Sequence, residues 1–102
     1  MAVKFTYYGA MNVVIERSDG FKILCDPYFH NHCNPNPQVS DHYDADLLLI
    51  THSAFDHFGD AIEICQNSNC KVCGGVEIRR IIDEICPLPE ERWHATICSL
   101  RE

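Results

Sequence analysis

The sequence predicts an α/β (α+β) fold in which a β-meander is followed by a strand, a helix, a strand and a helix. Apolar and polar residues alternate over residues 3–25, which is the period of strands that bury one face. Residues 47–50 are entirely apolar, and residues 78–85 repeat isoleucine at helical spacing. At 102 residues, the chain is expected to be a single domain or a fragment, covering residues 1–102.

The composition argues against nucleic-acid and membrane partners. The formal net charge is -7 and the isoelectric point is near 5.2, whereas nucleic-acid-binding surfaces are basic. No apolar run approaches the roughly 18 residues of a membrane span, and the first residues do not resemble a signal peptide. We therefore expect a cytoplasmic protein whose seven cysteines are mostly reduced.

The first part of the chain is predicted to form three short strands. Apolar and polar residues alternate over residues 3–7, and Gly9 interrupts the pattern. A similar alternation returns over residues 11–15. Residues 18–20, with the sequence Ser-Asp-Gly, are typical of a hairpin turn, and residues 21–25 form the returning strand. A meander of this kind occurs in many folds, so it does not indicate a function.

A long loop is predicted for residues 27–45, which contain three prolines and several asparagines without periodicity. Long ordered loops often border functional sites. This loop carries His30, His32, Cys33 and His42, whose imidazole and thiolate groups are ligands that zinc accepts.

The chain is organised around the strand at residues 47–50 and the polar residues after it. Four consecutive apolar residues predict a strand that is covered on both faces. His52, Asp56 and His57 follow, where the strand gives way to a helix. Ligands usually bind at this edge of an open α/β sheet, and these side chains suit Zn²⁺, Mn²⁺ or Fe.

The remaining residues continue the alternation of helix and strand. Ala61, Ile62 and Cys65 share one helical face, residues 71–73 form a strand, and residues 74–75 form a turn. The isoleucines of the next helix are predicted to be core residues, namely Ile78, Ile81, Ile82 and Ile85. A further strand starts at Trp93, and the two strands before it should pair in parallel.

The stretch from His52 to His57 resembles the metal signature of the metallo-β-lactamase superfamily, His-x-His-x-Asp-His at a strand-to-helix turn. His52 matches the first histidine, and Asp56 and His57 match the final pair. Ala54 stands where the family has its second histidine. In the family, the His-x-His pair helps to hold one metal and the Asp-His pair helps to hold a second. The resemblance therefore implies a metal site at His52, Asp56 and His57, for one ion rather than two.

The upstream sequence extends this resemblance to the ascorbate-phosphate-lactonase-like branch of the superfamily. The meander ends at Asp26-Pro27, and in that branch an aspartate at this position supports a ligand histidine from behind. The resemblance implies that role for Asp26, for which a plain strand-end turn is the alternative. The branch often has Gly-His where this chain has Gly9-Ala10, a second change from histidine to alanine.

The family fold is a four-layer αββα sandwich, and the resemblance implies the N-terminal half of it. The later family ligands, a third histidine, a bridging aspartate and a final histidine, have no counterpart in this chain. We expect a fragment that pairs with a missing C-terminal half. Self-association into a homo-oligomer and a shortened relative that folds differently at its open face are the alternatives.

The resemblance implies a metal-dependent hydrolase in the longer parent, with this chain alone incomplete. A divalent metal, zinc before manganese or iron, would activate water to attack an ester, lactone, phosphoester or amide of a small-molecule substrate. Asp56 would be the catalytic residue that also orients the water, and His30 or His32 could replace the ligand lost at Ala54. The alternatives are a degenerate, non-catalytic metal-binding domain, and an interaction domain in which these polar residues only form a turn.

Overall fold

A computed structural model of the chain describes residues 2–29 and 39–97. Six strands form one sheet in the order of the sequence, namely β1 (Val3–Tyr7), β2 (Val13–Arg17), β3 (Lys22–Cys25), β4 (Leu47–Ile50), β5 (Lys71–Gly75) and β6 (Trp93–Ile97). Three helices accompany them, namely α1 (Phe55–Phe58), α2 (Ala61–Asn67) and α3 (Val76–Ile85). Short 3-10 helices cover Val39–His42 and Glu90–Arg92.

The β-meander and the following strand–helix–strand–helix order confirm the predicted fold class. β1, β2 and β3 pair antiparallel, and β3, β4, β5 and β6 pair parallel. Two local predictions were wrong. Met11 lies in the turn before β2 and is 56% exposed, and Gly74 and Gly75 are the last residues of β5 instead of a turn, because their backbones pair with β6.

The core lies on one face of the sheet. The register aligns one buried row across five strands, formed by Val14, Leu24, Leu48, Val72 and Trp93. Helices α2 and α3 complete the same cluster through Ala61, Ile64, Cys65, Ile78 and Ile82. Each buried large aliphatic side chain stabilises the fold by about 1.5–3 kcal/mol. Both helices lie on one face because the parallel strands succeed one another in one direction with right-handed crossovers.

The predicted core face of α3 was wrong at one position. Ile78 and Ile82 are fully buried, and Ile81 is partly buried. Ile85, at the last turn of the helix, is 57% exposed. The helix therefore meets the sheet mainly through Ile78 and Ile82.

The opposite face of the sheet is apolar and open. Its rows run across the strands through Phe5, Ile15, Ile23 and Leu47, and through Tyr7, Val13, Cys25, Leu49 and Cys73. Phe5 is 69% exposed and Tyr7 is 67% exposed. The prediction that β4 is covered on both faces was wrong for this chain. Only alternate residues of β4 are buried, because no layer within the described residues packs on the second face.

The sheet topology brings several chain segments to a single edge. β1 and β3 run in the same direction as β4 and β5, so their carboxyl ends lie together. Asp26, the residues after Ile50 and the end of β5 are therefore neighbours. This is the edge at which ligands bind in open α/β sheets.

Candidate metal centre

Asp26 forms the base of the candidate site. Its side chain is 2% exposed and its backbone has φ +47, a left-handed conformation that aspartate tolerates better than most residues. Its N–H still donates to the Leu49 carbonyl at 2.9 Å, which extends the ladder between β3 and β4 by one bond. The chain then turns sharply, and the carboxylate points across the end of β4 towards Thr51.

Three hydrogen bonds hold the Asp26 carboxylate in place. Oδ1 accepts the backbone N–H of Thr51 at 2.7 Å, and Oδ2 accepts the Thr51 hydroxyl at 2.7 Å. Oδ2 also lies 2.9 Å from Nδ1 of His57. An ionised carboxylate only accepts hydrogen bonds, so Nδ1 of His57 carries the proton in this contact. A hydrogen bond from a histidine to a buried carboxylate is the usual support of a metal-binding imidazole.

The His57 ring presents its other nitrogen away from Asp26. The side chain is 14% exposed, and Nε2 lies 3.8 Å from Oδ1 of Asp56. The Asp56 side chain is 47% exposed. An imidazole nitrogen and a carboxylate oxygen therefore sit side by side at the sheet edge, and both are donors that a divalent cation accepts.

His52 lies against His57. The ring centroids are 3.8 Å apart with an angle of 54° between the planes, and His52 Nδ1 lies 3.3 Å from the Thr51 hydroxyl oxygen. His52, Asp56, His57 and Asp26 are thus close neighbours. Their roles as metal ligands, and that of Asp26 as the support for a ligand, stay predictions.

The turn between α1 and α2 is locked to the strand end that carries Asp26. Gly59 has φ +41, and a Cβ there would lie 2.7 Å from the Pro27 carbonyl oxygen and 2.7 Å from Tyr28 Cα. The next residue, Asp60, donates its N–H to Pro27 O at 2.8 Å and accepts the Phe29 N–H at 2.8 Å. These contacts fix α1, and with it Asp56 and His57, against the end of β3.

Sequence reasoning missed Thr51, Gly59 and Asp60 as parts of the site. Thr51 directly precedes His52 at the end of a buried strand, and that position was the available signal. The Gly59-Asp60 pair lies between the predicted site and its helix, where a close chain approach commonly requires glycine. Neither sequence feature by itself predicts the contact that forms, which is with Asp26 for Thr51 and with Tyr28 for Gly59.

The donors available in the described ranges do not complete a metal site. No group of three His, Cys, Asp or Glu side chains among residues 2–29 and 39–97 is arranged to hold one ion. Ala54, with φ -58 and ψ 145, is exposed in front of α1 and offers no donor. The chemistry of Asp56 and His57 fits two ligands of a divalent ion, so the other ligands would have to come from elsewhere.

Of the loop residues predicted as substitute ligands, only His42 lies within the described residues. His30, His32 and Cys33 lie outside the described residues. His42 is described, is 6% exposed, and stacks on Phe29 with ring centroids 4.7 Å apart. Burial, followed by the nearby Lys22 charge, holds the pKa of His42 below its ordinary value. His42 therefore forms part of the packed interior.

Comparison with known proteins identifies the family. Residues 4–92 match the family described as beta-lactamase superfamily domain. The chain belongs to the beta-lactamase superfamily. This assignment confirms the resemblance that the signature from His52 to His57 indicated.

Relatives of the same superfamily are considerably longer than this chain. A UPF0173 metal-dependent hydrolase of Methanosphaera stadtmanae is 37% identical over 83 residues, covering 78% of this chain and 34% of the relative. One of Thermococcus kodakarensis is 39% identical over 83 residues, covering 80% of this chain and 35% of the relative. The chain thus spans about a third of the length of these curated relatives.

A solved structure of a metallo hydrolase is similar to this chain. The metallo hydrolase Igni18 of Ignicoccus hospitalis superimposes with a TM-score of 0.70 at 33% identity, covering 80% of this chain and 36% of that chain.

In the part of the sequence that the structure describes, no helix is long and apolar enough to cross a membrane.

Proposed function

We propose that this chain carries the metal-binding edge of a metal-dependent hydrolase that acts on a small-molecule substrate. The observation that carries this proposal is the 2.9 Å contact between buried Asp26 and Nδ1 of His57. It leaves Nε2 of His57 as the basic nitrogen beside Asp56, at the edge where ligands bind. The names of the longer relatives, metal-dependent hydrolases, support the same activity.

The donor set favours a divalent cation with zinc as the first candidate, then manganese or iron. His57 through Nε2 and Asp56 through its carboxylate would hold the ion, with His52 as the neighbouring donor. When bound, the ion would supply a Lewis acid and a water of lowered pKa. The further ligands would come from His30 or His32 or from a second polypeptide segment.

The other residues of the site would orient the metal ligands and the attacking water. Asp26 holds the proton of His57 on Nδ1 and fixes the ring plane. The Gly59–Tyr28 contact fixes the position of α1, so Asp56 and His57 move together with the end of β3. Asp56 is half exposed and would orient the attacking water at this edge. Esters, lactones, phosphoesters and amides are the bonds that this chemistry would cleave.

The open face of the sheet supports a second layer in the functional protein. Phe5 and Tyr7 are more than half exposed on a face where most of the aligned residues are apolar, and a face of that kind normally packs on another element. We propose that the remainder of a longer polypeptide covers it, as the length of the relatives suggests. Sedimentation of the chain alone tests this. A stable dimer would instead make a second copy the occupant.

The proposed compartment is the cytoplasm. Five described cysteines are free thiols, namely Cys25, Cys65, Cys70, Cys73 and Cys86. Unpaired thiols in that number are typical of proteins from a reducing compartment. Labelling thiols in cells before lysis would test the proposal, since disulfide-linked cysteines would escape the label.

A degenerate, non-catalytic metal-binding domain is the second candidate. Ala54 in place of the second signature histidine is the observation that supports this candidate. This candidate predicts bound metal without turnover, whereas the hydrolase predicts both.

Metal content tests the proposal directly. The chain and its Asp56→Ala variant would be stripped with chelator, dialysed against zinc, manganese or iron, and analysed by mass spectrometry. About one equivalent in the chain and none in the variant would support the metal centre. Asp83→Ala, on the exposed side of α3, is the matched control. Metal equally retained by Asp56→Ala would overturn the site, and metal without hydrolysis of model esters would favour the second candidate.

A further inference from the structure

We propose that Thr51 is a positioning residue that sets the tautomers of both His52 and His57. Its hydroxyl oxygen lies 3.3 Å from Nδ1 of His52 and 3.3 Å from Nδ1 of His57. It also lies 2.7 Å from Oδ2 of Asp26. A single hydroxyl group therefore touches the buried carboxylate and both imidazoles of the candidate metal centre.

The number of protons available determines the direction of each hydrogen bond. A threonine hydroxyl has one proton and two lone pairs, whereas an ionised carboxylate has no proton to give. The contact between Thr51 and Asp26 is short, so the hydroxyl proton is donated to Asp26. Towards both histidines, the Thr51 oxygen can then act only as an acceptor.

Each histidine must therefore carry its proton on Nδ1. His57 Nδ1 faces two acceptors, Asp26 Oδ2 at 2.9 Å and the Thr51 oxygen at 3.3 Å. His52 Nδ1 faces the Thr51 oxygen alone among the contacts that the described residues show. In a neutral imidazole with its proton on Nδ1, the lone pair is on Nε2.

The consequence is a matched pair of basic nitrogens. The ring centroids of His52 and His57 are 3.8 Å apart, so the two Nε2 atoms belong to neighbouring side chains. Thr51 thereby prepares both rings for a metal ion before one binds. Only the identity of what these nitrogens bind rests on the proposed function, because the tautomers themselves exist without metal.

Two substitutions isolate the hydroxyl. Thr51→Val keeps the shape and the backbone N–H bond to Asp26 Oδ1, and it replaces the hydroxyl with a methyl group. Thr51→Ser keeps the hydroxyl and removes a methyl group. Thr51 is exposed, so neither change disturbs the core.

The test is nitrogen-15 NMR of the metal-free chain at about pH 8.5, where imidazoles are neutral. Long-range proton–nitrogen correlations distinguish the two tautomers, and His52→Gln and His57→Gln variants assign the signals. We expect Nδ1–H for both rings in the unmodified chain and in Thr51→Ser. In Thr51→Val, His52 should shift to a mixture with Nε2–H, whereas His57 should keep Nδ1–H because Asp26 still holds it.

Two results would overturn the proposal. One is an Nε2–H tautomer of His52 in the unmodified chain. The other is a Thr51→Val spectrum in which the His52 tautomer is unchanged. A zinc titration adds the functional readout, with Thr51→Val expected to bind about tenfold or more weakly than Thr51→Ser. Correct tautomers without metal binding would count against the proposed function and leave the role of Thr51 intact.

Discussion

Asp26 and His57 are joined by a 2.9 Å hydrogen bond although they are 31 positions apart in the sequence. Asp26 directly follows β3 and has a left-handed backbone conformation, and His57 lies in α1, the short helix after β4. The contact is formed because β3 and β4 are parallel neighbours whose carboxyl ends lie at the same edge. It converts a strand end and a polar turn into one site.

Asp26→Asn should weaken metal binding by about tenfold to a hundredfold, which is the usual effect of removing support from a ligand histidine. The amide removes the charge that stabilises the Nδ1 proton of His57 and can direct an N–H at that nitrogen. Zinc competition with a chromogenic chelator measures the affinity. Asp44→Asn is the control, because Asp44 pairs with Lys22 away from the site. Equal losses in both variants would contradict a specific role for Asp26.

Ala54→His should raise metal affinity by about tenfold or more, by supplying the donor that the signature lacks. Ala54 is exposed and has φ -58, so a histidine meets no backbone strain there. The same chelator competition reads the result. Ser53→His, one position earlier and also exposed, is the matched control. If both variants gained equally, the gain would come from a surface histidine and not from the signature position.

Gly59→Ala should destabilise the fold by more than the about 1 kcal/mol expected for backbone strain alone. The added Cβ would meet Pro27 O and Tyr28 Cα, both at 2.7 Å, and backbone atoms cannot easily move aside. Gly20→Ala is the control, because Gly20 also has positive φ, at +96, but nothing lies within 4 Å of its Cβ. Urea unfolding of the two variants gives the difference, and similar losses would mean that the close approach is not tight.

His42 should make stability fall as the pH drops from neutral towards acid. Burial, followed by the Lys22 charge, lowers the pKa of His42 in the folded state from 6.5, so the unfolded chain takes up the proton first. The free energy of unfolding then decreases below pH 6.5 until the folded pKa is passed, by no more than about 1.4 kcal/mol per pH unit for one proton. Well above pH 6.5 this histidine is neutral in both states and contributes no pH dependence.

The variant His42→Phe tests this dependence, because phenylalanine can keep the stacking on Phe29 without titrating. Urea unfolding between about pH 5.5 and 7.5 should show a shallower slope for the variant than for the unmodified chain. His94→Gln is the control, since His94 is exposed on β6. An unchanged slope in His42→Phe would show that the acid sensitivity comes from other groups.

The local patterns were sufficient for most of the strands and helices. The alternation over residues 3–25 and the isoleucine spacing of α3 depend only on neighbours in the chain. The three strands and the helix that these patterns predict are present in the structure. His52, Asp56 and His57 were recognised because their types and order are themselves the signature. The match over residues 4–92 confirms the family, and the ligand roles of these three residues stay predictions.

The exposure of individual residues could not be predicted from the same patterns. Ile85 continues the isoleucine stripe of α3, yet it is 57% exposed, because the helix buries the row of Ile78 and Ile82 and Ile85 lies beside that row, four residues after the partly buried Ile81. Leu47 and Leu49 are as apolar as their neighbours, yet their face of β4 is open. Burial depends on which layers are present, and a periodic pattern contains no information about them.

The sequence by itself determined the order of strands and helices, the chemistry of the candidate ligands and the family. Only the tertiary structure decided that Thr51 joins Asp26 to both histidines and that Gly59 seals α1 against Tyr28. The physical reason is that the Thr51–Asp26 and Gly59–Tyr28 contacts cross 25 and 31 positions of the chain and arise from strand order and register. Periodicity fixes which way a side chain faces within its element, whereas the packing of elements fixes what it meets.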